Sequence, residues 1–279
     1  MARASRKLAD LASPQIGLDI VDGGPDRARL RKHNAWFTPQ GVALQVCRFL
    51  ARLVVARVIR EPAIILDNQA GGGVFGWAMQ QVWPVARRLA IEIRTEEREH
   101  LVHNYDEVEI IDYLADVPAL AEALASSRSV TPAMACPPQN RGVDAIITNP
   151  NFEDALAVAD RSLHDLAPEG WLALLVRLTW GDNADVAKWL REHPPVAGLE
   201  LDGRIEFAVG TNPETGQNYA QDSVTYRVLV WREGGGRLVD GAIDYERYWK
   251  LPRLTDQQRK WLRVAGQAVR PGTEYLHGL

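Results

Sequence analysis

Five short apolar runs, spaced by longer stretches, most constrain what this chain can fold into. They are Ala63–Asp67 (AIILD), Arg88–Ile93 (RLAIEI), Val108–Leu114 (VEIIDYL), Asp144–Thr148 (DAIIT) and Trp171–Leu178 (WLALLVRL). Each is close to continuously apolar rather than alternating, as expected of strands covered on both faces. Strands of this kind interleaved with helical segments predict an α/β domain built on a parallel sheet. Two further strands, Leu199–Ala208 and Ser223–Trp231 (SVTYRVLVW), follow one another without an obvious helix between them. They are expected to form an antiparallel pair that closes the sheet edge. Ahead of the first strand, Thr38 and Pro39 suit the N-cap and first position of a helix running to about Arg60, where Glu61-Pro62 stops it.

The 279 residues suit one large domain or one domain with insertions. The expected organisation is a basic N-terminal arm over 1–33, a core domain over 34–232 and a small helical appendage over 233–279. Trp249 and Trp261 in that appendage read first as docking anchors and second as stacking platforms. Two irregular stretches, Ser126–Gly142 and Gly210–Asp222, fall where an α/β sheet carries functional loops, and read equally as plain surface loops.

The N-terminus lacks an apolar leader, and the most apolar stretch, Val42–Ile59, is interrupted by Gln45, Arg48, Arg52 and Arg57. A cytoplasmic protein is expected. Cys47 and Cys136 lie far apart, without the spacing of a zinc site, and read as unpaired thiols. No metal is expected. The net charge of −4 argues mildly against a nucleic-acid partner. Its distribution matters more: Arg27, Arg29, Arg31 and Lys32 cluster early, and Arg247, Lys250, Arg253, Arg259, Lys260, Arg263 and Arg270 cluster late. These read as solvated faces or as two basic patches flanking a site.

The first strand runs into Asn68-Gln69-Ala70-Gly71-Gly72-Gly73-Val74-Phe75-Gly76. Glycines at a strand-to-helix turn let the backbone approach a ligand closely. Taken alone, such a loop fits a nucleotide, a flavin or a tight structural turn. It carries no Walker lysine, although Gly71, Gly73 and Gly76 can be spelled as G-x-G-x-x-G, which keeps a nicotinamide cofactor formally open. Asp67, at the strand end, would repel a pyrophosphate and suit a cationic ligand. Glu92, near the end of the next strand, is placed to accept hydrogen bonds from ribose hydroxyls.

The fourth strand ends in Asn149-Pro150-Asn151-Phe152. An amine conjugated to an aromatic ring is a poor nucleophile. Two acceptors facing its N–H bonds can localise its lone pair, and the Asn149 side-chain oxygen and Pro150 carbonyl are candidates. Phe152 could stack on a flipped-out base. The competing reading is an ordinary Asn-Pro turn beside a buried phenylalanine.

Taken in order, these segments resemble the amino-group DNA methyltransferases, particularly the adenine-N6 class in its compact phage or bacterial form. Asn34–Pro39 (NAWFTP) resembles that family's F/Y-x-T-P segment, Ile65–Gly76 its glycine-rich donor loop, and Asn149–Phe152 its catalytic tetrapeptide. The resemblance covers about residues 34 to 231 and implies a Rossmann-like class I methyltransferase fold. That fold has a mostly parallel seven-stranded sheet with an antiparallel edge strand and helices on both faces. It implies S-adenosylmethionine as cofactor and double-stranded DNA as partner, with the target adenine flipped out. Catalysis is implied for Asn149, Pro150, Asn151 and Phe152. Donor binding is implied for Phe37, Thr38, Pro39, Asp67, Ala70, Gly71, Gly73, Phe75, Glu92, Ile93, Asp112 and Tyr113, with Asp112 reading the donor's adenine.

The chain departs from the pattern at two places. Asn151 stands where a second proline is usual, which loosens the turn and adds an N–H, and Asn68 replaces a frequent proline. No sizeable target-recognition domain is present, so substrate choice would fall to the two irregular loops or the tail. RNA bases, protein glutamine amides and a non-catalytic binding role use the same kind of scaffold and stay open.

Overall fold

A computed structural model describes residues 38–115, 142–204 and 225–251. The N-terminal arm, Phe37, Ser126–Arg141, Gly210–Asp222 and the tail beyond Leu251 lie outside the described residues.

The chain enters through helix α1 (Gln40–Val55), then strand β1 (Ile64–Asp67), helix α2 (Val74–Val82), strand β2 (Arg87–Glu92), the short α3 (Arg98–Leu101) and β3 (Glu107–Ile110). After the first undescribed gap come β4 (Val143–Thr148), α4 (Ala155–His164), β5 (Leu166–Arg177), α5 (Ala184–Glu192) and β6 (Ala197–Arg204). The last described part holds β7 (Thr225–Arg232), β8 (Arg237–Val239), β9 (Ala242–Asp244) and β10 (Arg247–Lys250).

Eight of these strands form one sheet in the order β10-β6-β7-β5-β4-β1-β2-β3. The pairs β1–β2, β1–β4, β2–β3 and β4–β5 are parallel. The doubly wound, Rossmann-like α/β architecture expected from the sequence is therefore present. The continuous apolar runs have the expected cause. On β5, Trp171, Ala173 and Leu175 enter one core with α1 and α2, whereas Leu172, Leu174 and Val176 enter the other with α4 and α5. A strand buried on both sides has no polar face to alternate with.

Three expectations need correction. First, the antiparallel strand is interior: β7 pairs antiparallel with both β5 and β6, and the edge beyond β6 is β10, paired parallel to it. Among the described residues the sheet thus has eight strands, not seven. Second, residues 237–250, expected to be helical, are β-structure. Asp240 and Gly241 both have positive φ (51° and 80°) and join β8 to β9, as a two-residue hairpin of the primed type requires.

Third, α1 stops at Val55, not near Arg60. Arg57 adopts a left-handed φ of 59°, and the N–H groups of Arg57 and Val58 donate to the carbonyls of Val54 and Leu53. That closes the helix ahead of Pro62. At its other end the N-cap position is Pro39, with no side-chain cap, so Thr38 does not cap the helix. Its hydroxyl is used elsewhere.

Trp249 packs edge-on against Phe49 of α1 with ring centroids 5.3 Å apart, and so acts as an anchor for β10. Among the described residues no helix is long and apolar enough to cross a membrane.

Candidate active site

The order of the sheet reverses between β1 and β4. The chain winds outward from β1 through β2 and β3, then returns to the other side of β1 with β4. At such a switch point the loops beyond the carboxyl ends of the two strands part and leave a crevice. A cleft of about 360 Å³ lies there. Its walls come from the glycine loop (Asn68, Gln69, Gly71), the end of β2 (Glu92, Ile93, Arg94), the segment after β3 (Ile111 to Leu114) and the segment after β4 (Asn149 to Asp154).

The fold brings together Gly71, Glu92, Ile93, Asp112, Tyr113 and all of Asn149–Phe152 from the expected set. Thr38 stands at their side. The Asn149 side-chain amide donates to the Thr38 hydroxyl at 3.0 Å, across 111 residues of sequence. The Asn149 Oδ1 is buried with no hydrogen-bond partner. A buried acceptor left unmatched is costly unless a ligand supplies the donor.

Other expected residues do not line the cleft. Asp67 is fully buried and faces inward. It accepts from the Tyr105 hydroxyl (2.7 Å), the Thr148 hydroxyl (2.8 Å) and the Gln69 N–H (3.4 Å). Burial raises its carboxyl to about 7, although these donors oppose the shift. Asp67 therefore clamps the ends of β1 and β4 rather than meeting a cation, because the side chain points into the core. Tyr105 in turn accepts the Gly76 N–H at 2.9 Å, and burial, then the nearby Asp67, push its phenol up so that it stays a donor.

Phe75 and Ala70 are core residues. Gly73, at φ 85°, is the N-cap of α2, and its hydrogen would be replaced by a Cβ 3.2 Å from Asn104. These three shape the loop from behind. Pro39 caps α1 outside the cleft. Tyr113 is buried, its hydroxyl donating to Asp165 at 2.6 Å, and contributes a wall rather than a polar handle.

Glu92 is in the cleft, but its carboxylate is already engaged. Oε2 accepts the Gly71 N–H at 2.7 Å, and Oε1 accepts the Arg94 N–H (3.1 Å) and Nε (2.7 Å). With three donors in place, about one of its four acceptor positions is left for a ribose hydroxyl. Asp112 is exposed at the rim, where its Oδ1 accepts the Leu114 N–H at 3.0 Å. Phe152 is half-buried. Its ring packs against Tyr226 with centroids 5.8 Å apart, and the Arg177 guanidinium lies 4.1 Å from its centroid. A base could stack on the covered face only by displacing Arg177.

Sequence reasoning missed Asn68, Gln69, Arg94, Ile111, Leu114, Glu153 and Asp154 as cleft residues. Gln69 had a signal: the N–H added by Asn151 needs an acceptor, and Gln69 Oε1 is that acceptor at 2.9 Å. Arg94 lies two residues beyond the acid it pairs with, a spacing that carries no signal by itself.

No protein-family model matches the sequence, and no curated protein matches it. Solved structures do resemble the fold. A predicted O-methyltransferase from Agrobacterium tumefaciens is 17% identical, with 78% of this chain and 97% of that chain covered and a TM-score of 0.44. A putative RNA methyltransferase from Pyrococcus horikoshii is 15% identical, with 66% and 81% covered and a TM-score of 0.41. The precorrin-6y C5,15-methyltransferase of Geobacter metallireducens is 15% identical, with 70% and 86% covered and a TM-score of 0.39. All three similar structures are named as methyltransferases, on different substrates.

Proposed function

We propose that the protein is an S-adenosylmethionine-dependent methyltransferase acting on an amino group, with adenine N6 of double-stranded DNA as its substrate. The observation that carries this reading is the buried, unpartnered Asn149 Oδ1 at the end of β4, held from behind by Thr38 at the sheet's switch point. The fit of the donor rests on the charge of the cleft. Glu92, Asp112, Glu153 and Asp154 line it against Arg94, and Arg94 is paired with Glu92. A pyrophosphate would be repelled, whereas a ligand carrying ammonium and sulfonium charges is favoured. That weighs against a nicotinamide cofactor.

Asp112, beside the apolar Ile93, Ile111 and Leu114, suits the adenine end of the donor. Glu92 and the Gly71 backbone would face its ribose. When bound, S-adenosylmethionine supplies a methyl group on a positively charged sulfur. The chain's own part is to hold the acceptor. Asn149 Oδ1 and the Pro150 carbonyl accept the two N–H bonds of the amine, localise its lone pair and fix its direction.

RNA amines and protein glutamine amides are the second reading. The guanidinium covering Phe152 favours the glutamine amide, which needs no free aromatic face. The deciding experiment offers labelled S-adenosylmethionine with unmethylated double-stranded DNA, total RNA or glutamine-containing peptides, and identifies the product by mass spectrometry. N6-methyladenine in DNA, formed by the wild type and not by Asn149→Ala, is expected. Label in RNA or peptide only would move the substrate to the second reading. Transfer to none of the three would overturn the enzymatic reading.

A further inference from the structure

We propose that Gln69 is a positioning residue of this site: it sets the direction of the Pro150 carbonyl by holding the peptide that joins Pro150 to Asn151. The inference rests on the methyltransferase reading for its consequence in turnover, and on geometry for the tether itself.

The peptide unit is planar, and in the trans form its N–H and C=O point in opposite directions. None of the described peptide bonds is cis. The Asn151 N–H therefore serves as a handle on the Pro150 carbonyl, one of the two acceptors assigned to the amine. Gln69 Oε1 takes that N–H at 2.9 Å, across 82 residues of sequence. On its other side the Asn151 residue is held by Asp154: its side-chain amide donates to Asp154 Oδ2 at 3.1 Å, and its carbonyl accepts the Asp154 N–H at 3.1 Å. The Asp154 carbonyl then accepts the Val158 N–H in the first turn of α4.

The turn is thus fixed to α4 at its far end and to the glycine loop at its near end. Gln69 is itself seated, its N–H on Asp67 Oδ1. A proline at 151 would need none of this. It has no N–H to satisfy, and its ring biases the preceding residue toward an extended ψ. Gln69 and Asn151 together replace that rigidity with a hydrogen bond. They also make the acceptor turn sensitive to the conformation of the donor loop.

Four variants test this: Gln69→Leu, which keeps bulk but loses the acceptor; Gln69→Glu, which keeps an acceptor oxygen; Asn151→Pro alone; and Gln69→Leu combined with Asn151→Pro. Steady-state methyl transfer and the exchange rate of the Asn151 amide are both read. Gln69→Leu should lower kcat about tenfold, the size expected for one lost hydrogen bond, with KM for the donor nearly unchanged. It should also speed exchange at Asn151. Gln69→Glu should retain both properties. In the Asn151→Pro background, Gln69→Leu should have no further effect on kcat, because the handle is already gone.

An unchanged kcat in Gln69→Leu, or the same tenfold loss in both backgrounds, would overturn the assignment. If the wild-type chain transfers no methyl group, the methyltransferase reading fails. The exchange rate at Asn151 still decides the tether, and a rate equal to that of the wild type in Gln69→Leu would overturn it.

Discussion

At the residue scale, the site rests on side chains whose hydrogen-bond capacity is used unevenly. Thr38 takes one end of the Asn149 amide and leaves the other for a ligand. Removing the amide in Asn149→Ala should lower kcat by about two orders of magnitude while sparing donor affinity, a split read by steady-state kinetics and calorimetry. Asp67 is the opposite case, fully committed inward. Its folded carboxyl sits near 7, above the 3.8 of an exposed aspartate. A raised carboxyl pKa means that the folded state keeps its proton while the unfolded state loses it. The associated stability is present below about pH 4 and is lost as the pH rises toward 7. Replacing the group by an amide in Asp67→Asn should flatten the pH dependence of the unfolding free energy over that window. An unchanged slope in urea titrations would show that another group carries it.

At the element scale, the glycine loop is held by its neighbours as much as by its own turn. Gly76 in α2 sits against the end of the α3 segment, where an added Cβ would stand 2.6 Å from the Tyr105 ring and 2.9 Å from the Asn104 carbonyl oxygen. The ring is locked by Asp67, so neither neighbour can yield cheaply. Gly76→Ala should destabilise the fold by about 1–3 kcal/mol, measured by chemical denaturation. That glycine was legible in sequence as part of a loop, though not the partner that demands it.

The same division runs through the other elements. Strands β1, β2, β4 and β5 were readable because burial on both faces leaves continuous apolar runs. Asn149–Phe152 and the glycine loop were readable as contiguous letters at strand ends. The inward turn of Asp67 was not, because a strand apolar on both faces gives no sign of which side its last residue takes. Nor was the Gln69–Asn151 bond, which joins residues 82 apart. The β8–β9 hairpin did carry a readable signal, Asp240-Gly241 between RLV and AID, which a helical reading of the C-terminal part passed over.

At the scale of the whole molecule, winding order places acids from three segments around one crevice, at the end of β2 and after β3 and β4. Its preference for a cationic ligand follows from that convergence and not from any single residue. A ligand that binds only the folded chain raises its melting temperature. S-adenosylmethionine and its demethylated product should do so, while NAD and ATP should not. The most direct test of the account is calorimetric titration of the wild type and Asn149→Ala with S-adenosylmethionine, repeated with excess NAD. Saturable binding of similar affinity to both proteins, undisturbed by NAD, is the expected result. Absence of binding to the wild type, or its displacement by NAD, would contradict it.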